Sequence, residues 1–110
     1  MSAVPSFDYH LESLLPVQAA SGKAYHEFLR VPDMSAGLYV LPAGAIDPQQ
    51  PHNEDEMYCV LRGKGQFFCD GQEIAVSAGS ILYVPKHVEH RFHSIEEELA
   101  ILVIFAPQET

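Results

Sequence analysis

Between Gly44 and Gly63 the chain reads GAIDPQQPHNEDEMYCVLRG, which sets Gln50, His52 and Glu56 at even spacings, and a later stretch, GSILYVPKHVEH, ends on His90. In extended backbone, side chains two residues apart share a face, so Gln50, His52 and Glu56 can converge on one point inside a sheet or barrel. Imidazole and carboxylate together suit a divalent first-row ion. Two histidines with one carboxylate form a facial set that leaves coordination positions open to substrate or oxygen. A lone histidine in a strand is usually structural, but two histidines and a glutamate at this spacing favour ligation. The expected chemistry is therefore that of a mononuclear metal centre.

Strands must position such a centre, and the rest of the chain supplies them. Short apolar runs alternate with turn signals: 24–31, 37–41, 56–61, 66–69, 72–76, 80–84, 90–93 and 99–106. Runs of this density indicate an all-β sandwich or barrel. Asp70-Gly71 is a two-residue hairpin signal, because a type I′ turn needs positive φ at both central positions. Gly63-Lys64-Gly65 reads as a further hairpin, centred near Lys64, that sets Cys59 across from Cys69. A disulfide between them is conceivable on that register. Reduced, packed thiols are the stronger expectation, because a cytosolic compartment keeps thiols reduced and buried cysteine behaves as a small hydrophobe. Residues 1–20 form a less regular N-terminal extension, with a helical turn before Pro16 as one reading, and 21–110 form the barrel. The apolar Phe7, Tyr9, Leu11, Leu14 and Leu15 need cover, which makes a homodimer the expected assembly.

Length and charge bound the partners. A chain of 110 residues supports one core and no second module. Its formal net charge of -9 leaves no basic stripe for phosphates, so nucleic acid and anionic membrane surfaces are disfavoured and a small molecule is the expected partner. The apolar stretch 99–107 is too short to span a bilayer, and no leader pattern opens the chain, so cytoplasmic residence is the default.

The two histidine segments resemble the paired motifs of the cupin family. The first motif runs glycine, five residues, His-x-His, three or four residues, glutamate, six residues, glycine; here the same spacing holds Gly44, Gln50-Pro51-His52, Glu56 and Gly63. The second runs glycine, five residues, Pro-x-Gly, two residues, histidine, three residues, asparagine; here it holds Gly79, Pro85-Lys86-His87, His90 and Ser94. The chain thus looks like a small single-domain cupin of the conserved-barrel type. The resemblance implies a jelly-roll β-barrel with one divalent ion in its mouth, held by His52, Glu56 and His90, with Gln50 where the first histidine usually stands. Glutamine offers a harder and weaker oxygen, so Fe, Mn, Zn and Ni all remain candidates. His87 replaces the motif glycine and is expected at positive φ in a structural role. His93 is expected to face away from the ion.

Alternation places Tyr58 and Val60 inward with Glu56, and Phe92 inward with His90. Either Tyr39 and Leu41 or Leu38 and Val40 line the interior. Glu56, which either stays a ligand or swings off to move a proton, and Tyr58 beside it, a candidate proton donor, are the expected catalytic residues; Tyr83 is the other phenol near the motifs. The function expected is a metal-dependent reaction on a small organic molecule, dioxygenase-like first and isomerase or lyase chemistry second. The alternative is a binding or sensory module that holds metal and ligand without turnover.

Overall fold

The computed structural model describes residues 6–110. One helix, α1 (Leu11–Ser21), precedes six strands: β1 (Tyr25–Val31), β2 (Met34–Leu41), β3 (Asp55–Cys69), β4 (Gln72–Ser77), β5 (Ile81–Val84) and β6 (His90–Ala106). All pairings are antiparallel. They run in the order β1-β2-β6-β3-β4, with β5 on the remaining length of β3. The fold is all-β, as the apolar runs imply, and a single jelly-roll barrel, as the resemblance implies.

Two expected boundaries are corrected. Gly63-Lys64-Gly65 does not turn the chain back; it lies inside β3, which stays paired with β6 from Asp55↔Ala106 to Cys69↔His90. The register slips three times between Val60 and Gln66, so this segment is a bulged corner where one strand bends from one sheet into the next. Glycine is required there for close approach: Gly63 has φ 100°, and a Cβ on it would run into the carbonyl oxygen of Glu98. The facing bend in β6 passes through Ser94 at φ 49°, which joins 90–93 and 99–106 into one strand and carries the exposed Glu96, Glu97 and Glu98. Cys59 and Cys69 therefore lie along the same strand and cannot face each other; both are free and half-buried. The hairpin at Asp70-Gly71 forms as expected, with φ 49° and 79° and Cys69 paired to Gln72.

The core gathers Tyr58, Val60, Phe67, Phe92, Leu99, Ile101, Val103 and Phe105 from β3 and β6, with Tyr39 and Leu41 from β2. Tyr39 and Leu41 are thus the interior set of β2. Leu38 is also buried, on the opposite face, because the N-terminal segment covers it: Tyr9, Leu11 and Leu14 share a groove with Phe28, Leu38 and Leu102. The helix runs through Pro16, beyond the turn expected before it, and begins where the His10 ring accepts from Glu12 N. It lies against its own sheet, and Arg62 of β3 pairs with its Glu12.

Gly63→Val should lower the unfolding free energy by about 3 kcal/mol, because the side chain meets backbone at a φ that favours glycine. Gly44→Ala, at φ 75° with open space around it, should cost only about 1 kcal/mol. Urea midpoints of the two variants measure the difference; equal values would show that the corner yields freely.

Candidate metal centre

Glu56 is the second residue of β3, where strand alternation turns it inward with Tyr58 and Val60. His90 opens β6 from the other end of the same ladder. Its Nδ1 lies 2.8 Å from the Val88 carbonyl oxygen, which can only accept, so Nδ1 carries the proton and Nε2 presents a lone pair. His52 comes from the irregular segment 42–54, whose carbonyl accepts from His87 N at 2.7 Å. His87 sits at φ 68°, so the residue in the motif's glycine position serves to tie the two segments together.

The three side chains converge. One ligand atom from each of His52, Glu56 and His90 lies within 4.8 Å of the others. Glu56 Oε1 is 3.2 Å from His90 Nε2 and 3.9 Å from His52 Nε2. Two bonds of about 2.1 Å to one ion span up to about 4.2 Å, so both separations fit a shared divalent cation. The chemistry of Glu56 points the same way. It is 2 % exposed, and among the described residues neither carboxylate oxygen accepts a hydrogen bond. Two other carboxylates are as deeply buried and do collect donors. Asp47 accepts from Tyr39 Oη at 2.5 Å, Gln49 Nε2 at 2.7 Å and Phe92 N at 2.9 Å. Glu54 accepts from Thr110 N at 3.3 Å and Oγ1 at 2.9 Å.

The glutamine differs from expectation. Gln50 is exposed, and its neighbour Gln49 turns inward instead. Asp47 takes the amide N–H of Gln49, which aims Oε1 at the site, 2.7 Å from Tyr58 Oη, 3.1 Å from His52 Nε2 and 3.3 Å from His90 Nε2. Even spacing failed here because 45–54 is not a strand; Pro48 and Pro51 break the alternation on which the reading rested. The available signal was Asp47, two residues from Gln49 and able to hold its amide. His93 faces away, bonded to Glu73 at 2.6 Å. Tyr83 lies on the outer surface near Asp55.

A cavity of about 150 Å³ adjoins the cluster, lined by Tyr25, Tyr39, Gln49, Tyr58, Phe105 and Glu109 among others. Residues after β6 cross its mouth: Glu109 N donates to Ser35 Oγ at 2.9 Å, Arg30 donates to the Glu109 carbonyl at 2.6 Å, and Glu109 Oε2 stands 3.5 Å from His52 Nδ1. Neither Tyr25 nor Glu109 carries a sequence motif that marks it. Burial and crowding with Glu56, Glu54 and Glu27 raise the Glu109 pKa. Burial also raises the phenol pKa values of Tyr25, Tyr39 and Tyr58, so all three stay protonated and act as donors near neutral pH. At His90 burial opposes charge, but the Glu56 carboxylate and the Val88 carbonyl outweigh it and the pKa is raised.

The family model of the cupin domain matches residues 37–105. The chain belongs to the cupin family. An uncharacterized protein of Streptomyces coelicolor is 43 % identical over 102 residues, covering 93 % of this cupin and 97 % of the relative. Among solved structures, an RmlC-like cupin of Methanocaldococcus jannaschii with a double-stranded β-helix fold superposes with TM-score 0.69 at 22 % identity, over 76 % of this chain and 78 % of that one. DMSP lyase DddQ from Ruegeria pomeroyi matches with TM-score 0.65 at 22 % identity, over 69 % of this chain and 39 % of that one. These likenesses show the shared cupin barrel. Among the described residues no helix is long and apolar enough to cross a membrane.

Glu56→Gln separates a ligand carboxylate from a structural one. A buried charge without hydrogen bonds destabilises the fold, whereas an amide at the same place relieves that cost. In chelator-treated protein the variant should melt at or above the wild-type temperature, by up to about 5 °C for a gain of about 1 kcal/mol. Added divalent metal should raise the wild-type melting temperature and leave the variant unmoved. A large drop for chelator-treated Glu56→Gln, measured by calorimetry, would show that the carboxylate is structural.

Proposed function

We propose that this cupin holds one divalent first-row ion, Fe, Mn, Zn or Ni, through His52, Glu56 and His90, and uses it to transform a small organic molecule. The observation that carries this reading is the Glu56 carboxylate, buried without a hydrogen bond and facing an imidazole nitrogen whose ring partner is already committed to a backbone carbonyl. Gln49 takes the place expected of Gln50 as a weaker fourth oxygen. A bound ion of this kind supplies Lewis acidity or an electron to an oxygen-bearing substrate.

The protein's own residues set what happens around it. Tyr39, Phe105 and Val103 wall the cavity and exclude water. Tyr58 Oη, 3.1 Å from His90 Nε2, stays protonated and donates its one hydrogen to Gln49 Oε1, so it holds that oxygen at the site and does not act as a base. Dioxygenase-type chemistry is the first reading. The Ruegeria neighbour is named a lyase, which keeps lyase or isomerase chemistry as the second.

Metal content of untagged protein tests the ligand set. His52→Ala and His90→Ala should each abolish stoichiometric metal, Gln49→Ala should weaken binding by about tenfold, and Gln50→Ala should bind as wild type. Equal retention in all four would overturn the assignment. Iron-loaded protein with phenols, thiols and diketones should consume oxygen with at least one class. Turnover without oxygen uptake would move the reading to lyase or isomerase chemistry, and metal with no turnover would favour the sensory module.

Homodimer formation is proposed through the outer face of β5 and β3. Ile81 is 68 % and Tyr83 60 % exposed there, and Met57, exposed too, pairs with Tyr83 in the ladder. Uncovered apolar groups this close together favour association. Sedimentation at micromolar concentration should give twice the chain mass, and Ile81→Lys should return it to one; a wild-type mass of one chain would remove the dimer.

A further inference from the structure

We infer that Tyr25 is the second anchor of the pocket, a hydrogen-bond donor that selects small uncharged molecules bearing an acceptor oxygen, such as ketones, aldehydes and amides. The inference rests on the metal-centre reading above for where the ligand sits, and on separate observations for what Tyr25 does. Three phenols line the cavity. Tyr39 donates to Asp47 and Tyr58 donates to Gln49, but the Tyr25 hydroxyl is buried with no partner among the described residues. A buried hydroxyl left unpaired is costly, and a ligand acceptor removes that cost.

The local structure is shaped to hold this hydroxyl. Tyr25 on β1 pairs with Tyr39 on β2, and its ring lies back across Gly37. A Cβ at position 37 would overlap the far end of the Tyr25 ring and its oxygen, although Gly37 itself needs no unusual φ. The glycine is therefore explained by the space it leaves. Edge-on packing against Tyr39 at 6.2 Å and Phe105 at 6.4 Å fixes the ring plane. Phe105 in turn packs edge-on against His52 at 4.9 Å, which links the phenol to the metal cluster through one aromatic side chain.

Position and charge define the ligand. Tyr25 and Glu109 line both the inner cavity and an outer groove that carries Lys23, His26 and Arg30, so they form the partition between the two. About 150 Å³ admits a molecule near the size of a six-membered ring. Glu109 lines the same space beside Tyr25, and its carboxylate disfavours an anion there, which leaves a neutral oxygen as the acceptor that Tyr25 can reward.

Cyclohexanone and toluene, titrated into the purified protein and followed by NMR, provide the test. Tyr25→Phe, which removes one oxygen, should weaken cyclohexanone about tenfold and leave toluene unchanged. Gly37→Ala, which keeps the phenol but displaces it, should weaken the ketone similarly. Equal ketone affinity in wild type and Tyr25→Phe, equal loss of both probes, or no ketone binding to wild type would each overturn the assignment. Metal content of the same samples keeps the two readings apart. A metal-free wild type that still loses the ketone on Tyr25→Phe would sink the metal centre and leave Tyr25 in place, whereas full metal with an indifferent Tyr25→Phe would do the reverse.

Discussion

A carboxylate held between two imidazoles, away from water and without a hydrogen bond, is the constraint around which the barrel is arranged. Glu56 could have been satisfied as cheaply as Asp47 or Glu54, each of which collects donors from backbone and side chains. Instead the nearest ring nitrogen is His90 Nε2, whose lone pair is turned toward it, an arrangement that repels at short range unless a cation or proton intervenes. A buried carboxylate in that setting costs stability locally, and the surrounding core of aromatic and branched side chains offsets that loss.

Asp47 organises the polar side of this arrangement. It lies in a segment with no strand pairing of its own, yet it fixes that segment by accepting from the Phe92 amide of β6 and the Tyr39 hydroxyl of β2. Its remaining bond orients Gln49, and so places an amide oxygen among the ring nitrogens of His52 and His90. A single buried side chain thereby couples loop position to amide orientation. His90 is oriented by the Val88 carbonyl, and His52 by edge-on packing against Phe105 with Gln49 and Glu109 at its two ring nitrogens.

Much of this was legible in the sequence, for reasons particular to each residue. Glu56, Tyr58 and Val60 follow strict alternation because β3 is regular there, and their inward face could be read directly. His90 and Phe92 obey the same rule on β6. The hairpin at Asp70-Gly71 follows from turn chemistry alone, and the left-handed backbone at His87 from its place at the motif's glycine position. Gln50 was misplaced because alternation fails in irregular backbone flanked by prolines. The glycines near Lys64 were misread because the same residue types that end a strand also let one bend, and only long-range pairing with β6 distinguishes the two. Tyr25 and Glu109 gave no signal, since a ring lying over a distant glycine and a tail crossing a mouth are products of tertiary folding.

The length of the two central strands has a further effect. Glu56 and His90 sit near opposite ends of one continuous ladder, Glu56 paired with Phe105 and His90 with Cys69, and they meet because the ribbon curls through its glycine corner until its ends approach. Any opening of that curl pulls the two apart together. Grip on an ion would therefore report on the whole ribbon at once, so that fraying at either end, however small, is transmitted to the centre as a change in how tightly it closes.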